Sequence, residues 1–375
     1  MPKTVRSRTQ DDALPGLPDA LPDTPPKATE YAALTLDEAI ERAHAILDVV
    51  LSGTTVPRRT RNGEIIGERK LDPPERAFTL FSGGGDSSIL AHLMRERTDG
   101  LVHIRTGIAI PETWDYVQAV AADWAVTLHA IHPEVTYQDL VLGRVTVKSG
   151  RGKRAAGEPV WKGFPGPAGH YLMYQRLKES ALAAFRNSIT GGRGRGGQIV
   201  YVGGMRWAES DRRFANAEEY DQWGSVVWCS PLVWWTNSHM AEYRARYLCN
   251  DNHEHAFGRL CRPGTLPLSP VSEKLHMSGD CLCGAFAKPG ELSEIEFWYP
   301  DTAAQIHALM DLAKAEGIER CVWGAGKQPG EKASKVGRLC RNCAPPMEGQ
   351  SDLFDLWQQR GLLSPAQYAS LTAAT

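Results

Sequence analysis

The sequence predicts an α/β protein, a Rossmann-like three-layer sandwich around a parallel sheet of about five strands, followed by a cysteine-bearing C-terminal region. Three observations predict it. Short apolar strand patterns alternate with amphipathic helix patterns between residues 77 and 131, three consecutive glycines fall at a strand-to-helix junction, and the cysteines begin only at Cys229. With 375 residues, 42% of them hydrophobic, the chain can build a large core. Its 36 glycines and 24 prolines stay below the share that marks low complexity. Forty-four acidic residues against 42 basic ones leave a net charge of −2, so any binding to nucleic acid must come from local patches. No apolar run is long enough to span a bilayer and the N-terminus shows no signal-peptide core, so the expectation is a soluble, cytoplasmic protein with no membrane partner.

Residues 1–30, with the proline-rich run PGLPDALPDTPPK, read as a disordered tail. Residues 31–69 hold a helix and a basic linker. From Leu34 to Leu51 apolar residues, Leu36 through Val50 among them, recur at helical spacing, with Thr35 as N-cap and Glu38 three residues on. The linker, PRRTRNGEIIGERK, is polar and basic. A nucleotide-binding domain follows over 70–245. Its expected elements are a strand at 77–81, a helix at 87–97, a strand at 101–106, a helix at 111–124 and a strand at 126–131. After a Gly-rich basic interruption over 143–169 come a helix through HYLMYQRLKESALAAF, a strand at 198–202 and an apolar run at 225–228. Short connections between strands and helices require parallel pairing with crossover helices. Residues 246–375 form the Cys-rich region, with a helix at 302–315.

The strongest chemical signal is Ser82-Gly83-Gly84-Gly85-Asp86-Ser87-Ser88. Glycines let the backbone turn tightly and bring amides close to an anion, and the helix that follows points its unsatisfied N–H groups at the same place. Neither a Walker loop nor a dinucleotide fingerprint is present.

On these residues the chain resembles the PP-loop adenine-nucleotide alpha-hydrolases, and within them the phosphoadenylyl-sulfate (PAPS) reductase family. The S-G-G-x-D-S core is matched by Ser82, Gly83, Gly84, Asp86 and Ser87. Further matches follow in family order: Thr106-Gly107 with Pro111-Glu112-Thr113, then Gly204-x-Arg206-x-x-Glu209-Ser210-x-x-Arg213, then Pro231-Leu232-x-x-Trp235-Thr236. The resemblance implies ATP or a related adenine nucleotide above the strand ends. Residues 82–88, Thr106, Gly107, Arg206 and Glu209 would bind it, and Asp86, Arg206 and Arg213 would serve catalysis. Asp86 would stand near the polyphosphate, with Mg²⁺ as the expected bridge. The sequence departs from the family at Arg105, where an acidic residue is common, and in its last residues, SPAQYASLTAAT, which lack the family's C-terminal cysteine. The departure turns the expectation from PAPS reduction toward adenylation-dependent sulfur transfer, with true PAPS reduction and non-catalytic nucleotide binding as alternatives.

Cys281-x-Cys283 and Cys340-x-x-Cys343 lie in turn-rich sequence and could supply four thiolates to Zn²⁺ or an iron-sulfur cluster. Cys249, His253, His255 and Cys261 form a weaker set that fits no standard finger. Basic residues at 148–154 and 193–195 could track a nucleic-acid acceptor, and sulfur transfer would call for a sulfur donor protein.

Overall fold

The computed structural model describes residues 26–59, 65–148, 155–191, 199–209, 218–223, 226–248 and 264–326. Two compact units divide the chain. The first is built from residues 1–139, 171–208 and 213–282, and the second from 140–170, 209–212 and 283–375.

The first unit begins with α1 (Pro26–Ala32) and α2 (Leu36–Leu51). The expected tail therefore ends earlier than residue 30, because Ala28 and Tyr31, three residues apart on one helical face, are both buried in the core. At the start of α2 the capping box read from the sequence is present: Glu38 N–H donates to Thr35 Oγ1, and Thr35 N–H donates to Glu38 Oε2 at 2.8 Å. The residues read as a basic linker form instead an antiparallel hairpin, β1 (Thr55–Arg59) with β2 (Ile65–Lys70). Charged residues can pair there because a two-stranded ribbon buries little. Val56 and the following Leu71 supply the buried side chains.

The main sheet, among the described residues, has six strands: β3 (Arg76–Leu80), β4 (Leu101–Ile104), β5 (Leu128–Ile131), β6 (Ile199–Val202), β7 (Tyr220–Trp223) and β8 (Val226–Cys229). They run in the order β5-β4-β3-β6-β8-β7, and five are parallel as expected. The sixth, β7, pairs antiparallel with β8 at the edge; its sequence YDQW shows no apolar alternation to announce it.

Alternate residues of the strands feed two cores. Ala77, Phe81, Leu101, Val200, Val202 and Val227 face α2, α3 (Gly85–Met94) and α4 (Pro111–Asp123). Phe78, Val102, Ile199, Tyr201 and Val226 face Leu182 and Phe185 on the opposite layer. Past α5 (Tyr137–Val141), that layer is the single long helix expected from the sequence, resolved into α6 (His170–Tyr174), a π turn over Gln175–Glu179 and α7 (Ser180–Ile189). Ser180 N–H bonds back to Gln175 O, five residues earlier, which marks the extra residue.

The first unit closes with α8 (Asn237–Tyr247) and the short α9 (Pro270–Leu275). His92 on α3 joins these parts. Its Nδ1 lies 2.7 Å from the Tyr243 hydroxyl of α8, and its Nε2 lies 2.9 Å from Gly264 O. A carbonyl can only accept, so Nε2 carries the proton and Nδ1 accepts from Tyr243. The second unit contains α10 (Glu291–Trp298) and α11 (Pro300–Ala315), the latter extending the expected helix at 302–315 by one turn's start. Within it Phe164 N–H bonds Arg320 O, and the Arg320 guanidinium lies over the Trp161 ring.

Replacing Thr35 by Ala removes the N-cap of α2 and should cost about 1 kcal/mol in urea unfolding. Burial pulls the His92 pKa from 6.5 down to about 4. The unfolded chain then takes up a proton near pH 6.5 while the folded one resists until about 4, so stability is complete above 6.5 and falls as pH drops through that window, by about 3 kcal/mol at most. Urea titrations between pH 7 and 5 should show this slope reduced in His92→Gln; an identical slope in the variant would assign it elsewhere.

Candidate functional site

The strand order reverses between β3 and β6, since the chain runs from β3 outward through β4 to β5 and then returns to the other side of β3. Loops leaving the C-terminal ends of these two strands diverge and open a crevice, the place where open α/β sheets take ligands. The loop after β3 is Phe81–Gly84, and the loop after β6 carries Gly204 and Arg206.

Gly83 adopts a positive φ of 80°, and a Cβ there would meet Thr113 Cγ2 at 2.9 Å. The chain can therefore turn from β3 into α3 at this point only with glycine at low cost. Ser88 N–H is the first amide of α3 bonded along the helix, to Gly84 O at 2.9 Å. The amides of Gly85, Asp86 and Ser87 precede it and stand at the positive end of the helix dipole. Ser82 Oγ and Ser87 Oγ are 3.0 Å apart across the turn. The buried Tyr116 hydroxyl donates to Pro267 O and can accept at 3.0 Å from the Ser88 hydroxyl, which also lies 2.9 Å from Gly84 O. That chain of hydroxyls braces the turn from behind.

Two arginines converge on Asp86. Arg206 Nε donates to Asp86 Oδ2 at 2.8 Å, and Arg244 Nη2 lies 3.5 Å from Oδ1. Arg206 is buried and fixed from its far side as well, with Nη1 bonded to Asn237 Oδ1 at 3.0 Å and near Trp235 O at 3.4 Å. The Pro231-to-Thr236 turn thus presents the carbonyl, and Asn237 at the start of α8 the amide, that aim Arg206, and Thr236 caps α8 with a reciprocal bond to His239. Two guanidinium groups against one carboxylate leave an excess positive charge beside the helix terminus, a setting for phosphate or sulfate oxygens.

A second group lies at the same sheet edge. Residues 278–282 run along the loop that follows β4: Ile110 N–H donates to Gly279 O, Leu282 N–H to Ile108 O, Thr106 Oγ1 to Asp280 O at 2.8 Å and Thr113 Oγ1 to Ser278 O at 2.7 Å. Asp280 also takes Ser278 Oγ at 2.6 Å and Lys178 Nζ at 3.0 Å. Burial works against both charges, yet each holds the other: Asp280 sits below the usual carboxylate range and Lys178 above the usual ammonium range. His103 donates Nδ1–H to Phe81 O at 2.8 Å, and burial keeps its pKa below the ordinary value.

The structure therefore brings Ser82 through Ser88 together with Arg206. Thr106 is fully buried and its hydroxyl is engaged by Asp280 O and Ile108 O, while Gly107, at φ 81°, lies exposed beside it. Arg105 lies over the Trp114 ring, 4.6 Å from its centroid. The backbone of Glu209 closes a 3₁₀ turn, Trp207–Glu209, and Arg213 lies outside the described residues. Of the four thiolates, Cys281 is half-buried and Cys283 buried, both unbridged, while Cys340 and Cys343 lie outside the described residues, as do Cys249, His253, His255 and Cys261. Among the described residues no group of three or more His, Cys, Asp or Glu side chains is placed to hold a metal ion. Lys148 is exposed, and residues 149–154 and 193–195 are outside the described set. Among the described residues no helix is long and apolar enough to cross a membrane.

Arg244, Asn237, Lys178 and Asp280 were not anticipated. For Arg244 a signal exists: it lies seven residues after Asn237, two helical turns along one face, on the helix that the Trp235-Thr236 turn starts.

The sequence model of the phosphoadenosine phosphosulfate reductase domain matches residues 66–142, a span that holds the 82–88 loop, Thr106-Gly107 and Pro111-Glu112-Thr113. The match agrees, over that span, with the resemblance read from the motifs to PAPS reductases. No curated protein matches it. Among solved structures it is similar to the phosphate complex of phosphoadenylyl-sulfate (PAPS) reductase from Candida auris, at 13% identity and a TM-score of 0.32, over 58% of this chain and 82% of that one.

Two neighbouring glycines should separate turn from charge. Gly83→Ala forces a positive φ and a contact with Thr113, and should lower stability by about 1–3 kcal/mol in thermal unfolding. A Cβ on Gly85 would lie 2.5 Å from Arg244 Nη2, the far end of a flexible side chain. Gly85→Ala should therefore leave the melting temperature nearly unchanged while displacing Arg244 from Asp86, visible in a crystal structure of the variant.

Proposed function

We propose that the protein is an enzyme of the PAPS reductase-like kind that binds ATP or a related adenine nucleotide at the 82–88 turn and cleaves it between the α and β phosphates. The observation that carries this reading is the convergence of Arg206 and Arg244 on the N-terminal end of α3, at the crevice between β3 and β6. Amides, helix dipole and guanidinium forks all favour charge that accumulates on a departing pyrophosphate. In the reaction an acceptor oxygen attacks the α phosphorus, the bond to the α–β bridging oxygen breaks, and pyrophosphate leaves with the electron pair. A sulfur nucleophile from a donor protein then displaces AMP from the adenylated acceptor. Mg²⁺, when it arrives with the nucleotide, supplies charge neutralisation on phosphate oxygens. Asp86, with both oxygens on arginines, tethers those cations and sets their spacing.

The acceptor we favour is a nucleic acid tracked by the basic segments 148–154 and 193–195, in a cytoplasmic setting. Zn²⁺ or an iron-sulfur cluster held by Cys281, Cys283, Cys340 and Cys343 stands on sequence spacing; metal analysis of the anaerobically purified protein decides it, with about one zinc, or about two or four irons with acid-labile sulfide, expected per chain and neither overturning it. PAPS reduction, with Cys281 or Cys283 as the thiol, is a second reading, favoured by the Lys178 ammonium, whose pKa the charge of Cys281 helps to raise.

Incubation with ATP and acceptor should release pyrophosphate, and Arg206→Met should lower that rate by about 100-fold or more, the range for loss of a preorganised charge at a developing anion. Sulfite release from PAPS with thioredoxin, and no pyrophosphate from ATP, would replace this reading with the second.

A further inference from the structure

Lys178 reaches the ligand edge from the layer opposite to α3 and α8. It sits inside the π turn Gln175–Glu179, between α6 and α7, and turns of this kind recur at functional sites because one extra residue re-aims a side chain. Its ammonium is taken by Asp280, and Asp280 in turn by Ser278. Ser278 is packed against the phosphate turn itself: a Cβ on Gly84 would lie 3.0 Å from Ser278 Cβ. From Ser278, packed against the turn, hydrogen bonds thus lead through Asp280 to Lys178. His103, bonded to Phe81 O at the start of the same turn, has its pKa lowered chiefly by burial, while Asp280 raises it and Lys178 lowers it further.

An ion pair of a half-buried lysine and a buried aspartate contributes little net stability, since desolvation offsets much of the attraction. Its position at a ligand edge therefore asks for a use. Resting on the loop reading given under Proposed function, we propose that Lys178 is a further cationic contact for the anion bound at residues 82–88, and that Asp280 holds the place of a ligand oxygen on it in the ligand-free protein. Arg206 and Arg244 then grip the anion beside α3, and Lys178 meets it from the other layer once the ligand competes with Asp280. Asp280 doubles as a selectivity device. A weakly charged ligand cannot displace it, whereas a multiply charged phosphoanhydride can.

The alternative, that the pair only clamps residues 278–282 onto the loop after β4, makes a different forecast. Breaking a clamp from either side has the same effect, so both neutralising variants would shift affinity in one direction. A placeholder gives opposite signs. Calorimetric titration with inorganic pyrophosphate, at fixed ionic strength, should show Lys178→Met weakening binding by about tenfold or more and Asp280→Asn tightening it by about threefold or more. Lys178→Arg, which keeps the charge, should stay near the wild type and guards against a merely misfolded Lys178→Met. Wild-type binding with both variants unchanged, or shifted in the same direction, overturns this proposal and leaves the loop reading standing. Failure of the wild-type protein to bind pyrophosphate overturns the loop reading and this one with it.

Discussion

A strand that must become a helix within four residues, with its amides turned outward rather than satisfied inside, is the constraint on which the rest of this molecule depends. The turn at Ser82–Gly84 meets it through glycine at a positive φ, a serine pair across the mouth and a line of buried hydroxyls behind. Everything chemically notable is then a response to the field at the start of α3. Asp86 in the first turn complements the dipole, and two arginines complement Asp86. Isolated in a core such a carboxylate would be costly; bracketed by guanidinium groups it becomes the anchor that keeps them from drifting into solvent.

The scaffold fixes those groups with unlike means on its two faces. On the α3 face, aromatic contacts and the His92–Tyr243 bond hold α8 against α3, so the helix that bears Arg244 has little freedom to slide. On the other face, apolar packing of Leu182 and Phe185 against Phe78 and Tyr201 seats α7. At the sheet edge beyond that core, polar bonds take over, and the segment 278–282 is attached almost wholly through backbone and hydroxyl groups.

Much of the fold was legible because it follows from local pattern. The alternating apolar strands, the capping box at Thr35 and Glu38 and the glycine turn each declare themselves within a few residues. What escaped was structure whose cause is distant. The β1–β2 hairpin looked like a linker because its sequence is polar and basic with no apolar alternation, and β7 has too few residues to show a period. In the site, the glycine turn at Ser82 through Asp86 stands out in the sequence itself and Arg206 through the family resemblance, whereas Arg244 and Lys178 acquire meaning only when helices from two layers meet at one edge. No window of sequence contains that meeting. Asp280 was hidden for a simpler reason: its neighbours Cys281 and Cys283 drew the reading toward thiolate chemistry.

The single wide turn between α6 and α7 has an evolutionary corollary. An α-helix advances each side chain by about 100°, so adding one residue that the backbone absorbs as a bulge rotates everything on one side of it relative to the other. Leu182 and Phe185 keep their seats on the sheet while the residues before Ser180 are spun to a new bearing. A lineage could thus have acquired or retired a buried positive charge at this edge through one codon, with the hydrophobic foundation downstream untouched.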